Sequence, residues 1–287
     1  MKIFFAFVAS LWLTTLAASA DDLKIVAAEN FYGGIAQEIA GLPVTSILNN
    51  PNQDPHEFTT NASTAKAVAD ADIVIYSGIG YDSWIEKLLA TKGKPSRIVI
   101  DVADLIGARD GDNPHIWYDP KTMPALVMKL TEVLSKNDPA QAATYQNRLE
   151  IFKASMKSEL DKIAKIKATA AGIPVTATEP VFGYMVDALG FKMLNYDFQV
   201  KIMNDSEPDA DQTAAFEKSL TSKTARILFY NSQVTDPTTE RMQNIAKKSG
   251  VPVVGVTETQ PLDQKSYVDW MMRELDEVQT ALEAKGR

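Results

Sequence analysis

The chain carries two histidines, His56 and His115, and each follows a proline. His56 lies in Asp54-Pro55-His56-Glu57, beyond the apolar stretch 44–48. His115 lies in Asn113-Pro114-His115-Ile116-Trp117, beyond the run 97–105. Proline restricts its own backbone and that of the residue before it, so a constrained loop presents each imidazole. Two more apolar runs end in carboxylates: 173–178 leads into Glu179, and 251–257 leads into Glu258. Two neutral imidazoles and two carboxylates balance the charge of one divalent ion, and a low-dielectric cleft favours that balance. Mixed nitrogen and oxygen donors suit manganese, iron or zinc better than calcium or magnesium, which prefer all-oxygen shells.

The separations of 59, 64 and 79 residues form no local finger, so only the fold can assemble such a site. A plainer reading stands beside each residue. A histidine near a proline-rich turn is often structural, and Glu179 opens a helix where the dipole alone favours a carboxylate. Glu258 reads equally as a loop acid. Asp54, Glu57, Asp112, Asp119, Asp197, Asp205 and Asp263 are competing oxygen donors by type. Trp117, Tyr118, Phe182 and Tyr184 are candidates for an apolar wall, with core packing the simpler account.

The elements that position these residues alternate. Strands are predicted at 23–28, 44–48, 73–76 and 98–102. Helices are predicted at 31–39, around 65–69 and at 81–89, with Asn30 and Ser63 as caps and Gly41 as a stop. This is βα alternation, which predicts a parallel sheet covered by helices. The rhythm breaks at a helical pattern over 123–134. Asp138-Pro139 then opens a stretch running to Ala170 without glycine or proline. Tyr145, Leu149, Phe152, Met156, Leu160, Ile163 and Ile166 recur there at helical spacing. One helix of that length rises roughly 45 Å and spans two lobes. Alternation resumes with strands at 175–177, 191–194, 226–230 and 252–256. The intervening helices are at 182–189, 210–220 and 238–248, and a last helix starts near Lys265. The expected architecture is α/β: two lobes, each a parallel sheet flanked by helices, joined by a long rigid helix. Its boundaries are an N-terminal lobe over 21–137, the joining helix over 138–170 and a C-terminal lobe over 171–287. All four candidate ligands fall beyond strand carboxyl ends, where parallel sheets collect ligands.

Residues 1–20 read as a secretory signal. They comprise Lys2, a mostly apolar 3–16 and the small-residue sequence Ala18-Ser19-Ala20, with cleavage before Asp21. The apolar part is short for a membrane span. Cysteine is absent from the sequence, which excludes disulfides and thiol chemistry. The expected product is a monomer free in a periplasm, with no stable membrane insertion. The net charge of −8 becomes −9 without Lys2, and no basic run interrupts it, which argues against nucleic acid.

The sequence resembles the solute-binding proteins of zinc- and manganese-type ABC importers (cluster A-I) from about Leu23 to the last helix. The resemblance is carried by Ala28-Glu29-Asn30-Phe31-Tyr32, Asp54-Pro55-His56-Glu57-Phe58, Asn113-Pro114-His115-Ile116-Trp117-Tyr118-Asp119-Pro120 and Thr178-Glu179-Pro180-Val181-Phe182-Gly183-Tyr184. It implies that one metal ion is carried as cargo between two α/β lobes and passed to an integral-membrane permease. It also implies His56, His115, Glu179 and Glu258 as the ligands. The fourth is usually aspartate in that family; glutamate stands here, and Asp263 is the first alternative. Zinc importers often carry a histidine-rich loop that this chain lacks, and glutamate at the third position resembles manganese-type members. Mn2+ is therefore favoured, Zn2+ is the alternative and Fe2+ is compatible. No enzymatic activity is expected. A periplasmic metallohydrolase is the reading from another class, but no HExxH, GxSxG or P-loop pattern occurs.

Overall fold

The computed structural model describes residues 23–51, 55, 58–91, 93–234 and 236–284. The signal segment 1–20, Asp54, His56 and Glu57 lie outside the described residues.

The first half runs β1 (Ile25–Glu29), α1 (Asn30–Ala40), β2 (Thr45–Leu48), α2 (Ala62–Asp70), β3 (Ile73–Tyr76), α3 (Ser83–Leu89), β4 (Ile98–Asp101) and α4 (Val102–Ile106). Two long helices follow, α5 (Thr122–Asn137) and α6 (Ala142–Ala170). The second half runs β5 (Pro174–Ala177), α7 (Gly183–Ala188), β6 (Lys192–Leu194), α8 (Tyr196–Met203), α9 (Ala210–Thr221), β7 (Leu228–Asn231), α10 (Pro237–Ser249), β8 (Val253–Val256) and α11 (Tyr267–Glu283). Among the described residues the strands form two four-stranded sheets with the same order, β2-β1-β3-β4 and β6-β5-β7-β8. Every pairing is parallel. β1 is buried along its whole length, as expected of a parallel strand covered on both faces. In each sheet the winding reverses beside the first strand, and the crevice at that reversal is where open α/β sheets bind ligands.

α6 is the expected strut. Its 29 residues rise roughly 44 Å. Asp138 accepts from the Ala140 N–H and starts a 3-10 turn at Pro139–Gln141 that leads into the helix. Tyr145, Leu149, Phe152, Met156, Ile163 and Ile166 are buried as predicted. Leu160 is not: it lies 44% exposed, and Glu159 occupies the inward position beside it. Arg148 on α6 donates to the Ile39 and Ala40 carbonyls at the end of α1, at 3.2 and 2.7 Å. Farther along, Lys162 pairs with Asp276 of α11. The strut is thus tied to an N-lobe helix and to the last helix. One continuous apolar core joins Phe31 and Ile35 of α1, Leu130 of α5, Phe152 of α6 and Leu275 of α11. The two lobes therefore share an interior, and separating them would expose it to water.

Two predicted caps differ. Asn61, rather than Ser63, caps α2 by accepting from the Ser63 and Thr64 N–H groups. Asn30 lies inside α1, and its side chain reaches across to the loop after β8. Gly41 and Gly250 end α1 and α10 at φ 70° and 72°, the left-handed stop that glycine adopts without a Cβ penalty. α4 and α8 were not foreseen from the sequence: neither has enough turns to show a clear apolar period.

Candidate metal centre

His115 follows α4, where the chain re-enters the interior before the 3-10 turn at Ile116–Tyr118. Its ring is fully buried. The burial follows from its neighbours: Ile116, Trp117 and Tyr118 are all buried and pull this segment inward. Trp117 packs between the N-lobe rings of Phe31, tilted, and Tyr81, edge-on, at 5.0 and 4.7 Å. Tyr118 meets Phe182 and Trp270, at 5.0 and 5.6 Å. The adjacent pair forms an aromatic floor that joins the lobes.

Glu258 stands two residues beyond β8 and is also fully buried. Its Oε1 lies 3.7 Å from His115 Nε2. The Asn231 amide donates to Oε1 at 2.7 Å, and the Tyr81 hydroxyl donates to Oε2 at 3.1 Å. Asn231 ends β7 in the C-terminal sheet, whereas Tyr81 follows β3 in the N-terminal sheet. Glu258 is therefore held from both sides of the cleft. Its backbone is held too. Gln233 Oε1 accepts from the Glu258 and Thr259 N–H groups, at 2.8 and 2.9 Å. Two residues on, Gln260 exchanges a reciprocal pair of bonds with the Asn30 side chain, at 2.7 and 3.1 Å. Behind this loop, Glu274 accepts from Trp270 Nε1, the Tyr118 hydroxyl and the Thr257 N–H. Burial raises its carboxyl to about 7 against the pull of these donors.

Glu179 lies two residues beyond β5, at the start of a 3-10 turn over Pro180–Phe182, and is 5% exposed. It lines a cavity of about 250 Å³ with Met203, Glu207, Val234 and Asp236. Its segment meets the His115 segment directly. Asn113 Nδ2 donates to the Pro180 carbonyl at 2.7 Å, and the Tyr184 hydroxyl donates to the Asn113 carbonyl at 2.9 Å.

The structure thus brings His115 and Glu258 together and carries Glu179 into the neighbouring segment, while His56 lies outside the described residues. Among the described residues no three His, Asp or Glu side chains form a ready-made cluster. Asp263 points outward at 71% exposure and pairs with Arg273. Trp117, Tyr118 and Phe182 are fully buried and act as core. Sequence reasoning missed Tyr81, Asn231, Gln233 and Asn30 as partners of the Glu258 loop. Tyr81 and Asn231 read as ordinary edges of a helix and a strand, and no local signal marks a contact across 177 residues.

A buried pair of acids also lies in the N-terminal lobe. Glu29 ends β1 and faces Asp82, which accepts from the Ser77 and Gly78 N–H groups at 2.5 and 3.0 Å. Burial raises Glu29 well above the usual carboxylate range, and the Asp82 charge adds to the rise. Asp82 is raised less, to about 6, because burial is opposed by its two backbone donors. The two backbone donors favour the charge on Asp82 and so the proton on Glu29.

Two α/β lobes around a buried imidazole and carboxylate define a two-lobed solute-binding protein, with a cleft suited to a cation. Residues 25–281 match the family model described as zinc-uptake complex component A, periplasmic (ZnuA), and the chain belongs to that family. It is an extracytoplasmic metal-binding protein of an ABC importer, with a divalent ion as cargo and no catalytic role. Among curated relatives it is 25% identical over 291 residues to the manganese ABC transporter substrate-binding lipoprotein PsaA of Streptococcus mitis, covering 93% of this chain and 91% of that one. It is 24% identical to the manganese-binding lipoprotein MntA of Halalkalibacterium halodurans, covering 92% and 89%. Solved structures share the fold. The Mn-bound periplasmic metal-binding protein from Candidatus Liberibacter asiaticus matches with a TM-score of 0.74 at 20% identity, covering 90% of this chain and 99% of that one. FpvC from Pseudomonas aeruginosa in complex with Mn2+ matches with a TM-score of 0.75 at 19% identity, covering 92% and 99%. Among the described residues no helix is long and apolar enough to cross a membrane.

Proposed function

We propose that the protein captures manganese between an N-terminal lobe over 21–137 and a C-terminal lobe over 171–287, with 138–170 as the strut, and delivers it to its permease. The proposed ligands are His56, His115, Glu179 and Glu258. The observation that carries this reading is the buried approach of His115 Nε2 to Glu258 Oε1 at 3.7 Å, across the cleft between the lobes. Nothing among the described residues hydrogen-bonds to that nitrogen. A buried imidazole lone pair beside a buried carboxylate is suited to a cation, since either group alone in an apolar interior is costly. Two carboxylates and two imidazoles neutralise a divalent charge. Residues 1–20 serve as the export signal, and the mature chain works as a periplasmic monomer.

The manganese preference is supported by relatives whose names specify manganese and by the glutamate at position 179. Zinc binds almost any small nitrogen and oxygen site more tightly than manganese, so affinity in isolation does not decide the cargo. The experiment is to strip the protein, reload it with one metal at a time and count bound ions, alongside uptake of labelled manganese and zinc in cells with and without the protein. One ion per chain and loss of manganese uptake support the reading. Loss of zinc uptake alone would reassign the cargo to zinc, as the family description suggests. No bound metal would sink the site.

A further inference from the structure

Asn113 stands two residues before His115, and both ends of its side-chain amide are engaged. Nδ2 lies 2.7 Å from the Pro180 carbonyl oxygen. Oδ1 lies 3.2 Å from the His115 backbone nitrogen and 2.7 Å from His115 Nδ1. The two backbone partners determine which end is which. A peptide N–H only donates and a carbonyl only accepts, so the oxygen must face His115 and the NH2 must face Pro180. An acceptor oxygen 2.7 Å from Nδ1 requires that Nδ1 carry the hydrogen. In the neutral ring Nε2 is then a bare lone pair. That is the nitrogen facing Glu258 across the cleft.

We infer that Asn113 is a positioning residue with two linked tasks. It selects the metal-competent tautomer of His115, and through the same amide it ties the His115 loop to the C-lobe segment that bears Glu179. The inference rests on the reading of His115 and Glu179 as ligands. The C-lobe segment is shaped to receive this amide. The Tyr184 hydroxyl closes on the Asn113 carbonyl at 2.9 Å. Between Pro180 and Tyr184 sits Gly183, where an added Cβ would come within 2.7 Å of Asn113 Nδ2. Residues 180–184 therefore wrap Asn113, and a bare backbone at 183 leaves room for the NH2.

The coupling has a mechanical consequence. The bond to Pro180 crosses between the lobes, and the bond to Nδ1 is local. If the lobes separate, Nδ2 loses its acceptor and the amide is left held only at its Oδ1 end, by the His115 backbone N–H and Nδ1–H. The hold on the His115 tautomer weakens as the Glu179 segment withdraws. Opening then degrades two ligands together, which suits a carrier that must release a tightly held ion.

The test uses nitrogen-15 NMR of the histidine rings in metal-free protein, at a pH where imidazole is neutral. The chain has two histidines, so His115→Ala assigns the spectrum by loss of one set of signals. The expected wild-type result is a protonated Nδ1 and an unprotonated Nε2 at His115. Asn113→Ala should redistribute His115 between tautomers and weaken manganese binding about 10- to 100-fold, the range for partners that orient a ligating imidazole. Asn113→Asp separates the two tasks. It keeps an acceptor for Nδ1 but sets an oxygen against the Pro180 carbonyl. The tautomer should persist while amide hydrogen exchange over 181–184 accelerates. A wild-type His115 protonated on Nε2 overturns the inference, as does an Asn113→Ala protein with unchanged tautomer and manganese affinity. Unchanged exchange in Asn113→Asp overturns the tie between lobes, and that arm decides the matter if the alanine variant fails to fold. Undiminished manganese binding by His115→Ala would instead remove the ligand reading while leaving the tautomer measurement intact.

Discussion

Glu29 and Glu258 are both fully buried carboxyl groups at the carboxyl ends of parallel strands, yet their surroundings differ in kind. Glu258 receives an amide from Asn231 and a hydroxyl from Tyr81, and faces an imidazole. Glu29 receives no hydrogen bond from a fixed donor among the described residues, and the acid of Asp82 confronts it. The donors of the first environment offset part of the cost of a buried negative charge. The second favours a carboxylic acid, because desolvation and a neighbouring negative charge both penalise ionisation. Burial alone therefore does not set the character of a carboxyl group. Its neighbouring donors and charges do, and they come from residues far apart in the chain.

The largest effect expected from this contrast is on metal affinity. Glu258→Ala should weaken binding by more than about a hundredfold, beyond the range set by outer-shell partners. Glu29→Gln, a neutral isostere of the protonated acid, should leave affinity within about twofold, as expected of a site outside the ligand set. Isothermal titration of both variants checks the pair. Equal losses would erase the distinction between the two acids.

Asn231→Ala comes next. It removes the donor to Oε1 while sparing the proposed ligands, and affinity should fall about 10- to 100-fold. Unchanged affinity would mean that Tyr81 and the imidazole suffice to hold the carboxylate. The circular dichroism spectrum should stay native, since Asn231 ends its strand.

Glu159 extends the comparison to an acid with no hydrogen-bond donor among the described residues. It is buried on α6, neither oxygen has a hydrogen bond among the described residues, and burial raises its carboxyl to about 8. The unfolded chain releases this proton near the ordinary value of 4.5, whereas the folded chain keeps it up to about 8. Stability present below pH 4.5 is therefore lost progressively as the pH climbs to 8. Glu159→Gln should flatten that decline, and Glu159→Leu should stabilise the protein at pH 8 by about 1–3 kcal/mol, the scale of burying an unsatisfied polar group. Urea titrations at pH 5 and pH 8 measure both. A decline of equal slope in the glutamine variant would clear Glu159 of the effect.

The smallest expected effect is the stability change in Glu29→Gln. Its amide can donate to Asp82 as the acid does, so the change in urea midpoint at pH 7 should correspond to less than about 1 kcal/mol. A loss of several kcal/mol would mean that Glu29 is charged in the folded protein, and would break the contrast with Glu258.

The two lobes, the parallel sheets and the strut were legible in the chain because each rests on short-range pattern. Apolar runs of strand length alternate with helical periods, and the glycine- and proline-free stretch before Ala170 leaves a helix little alternative. His115, Glu179 and Glu258 were legible as donor types at element ends, and the family resemblance joined them with His56 into one expected set. Tertiary structure alone decided that Asn30 clasps Gln260 instead of capping its helix, because a side chain at a helix start has competing partners that no window of sequence reveals. It also decided that Glu159 faces inward beside an exposed Leu160, which reverses what hydrophobicity predicts at adjacent positions. Above all, it brought Tyr81 and Asn231 to the two oxygens of Glu258, and Asn113 to His115 and Pro180 at once. Residue type and periodicity report what a position prefers locally. Which donors meet a carboxylate depends on how two sheets pack around a shared core.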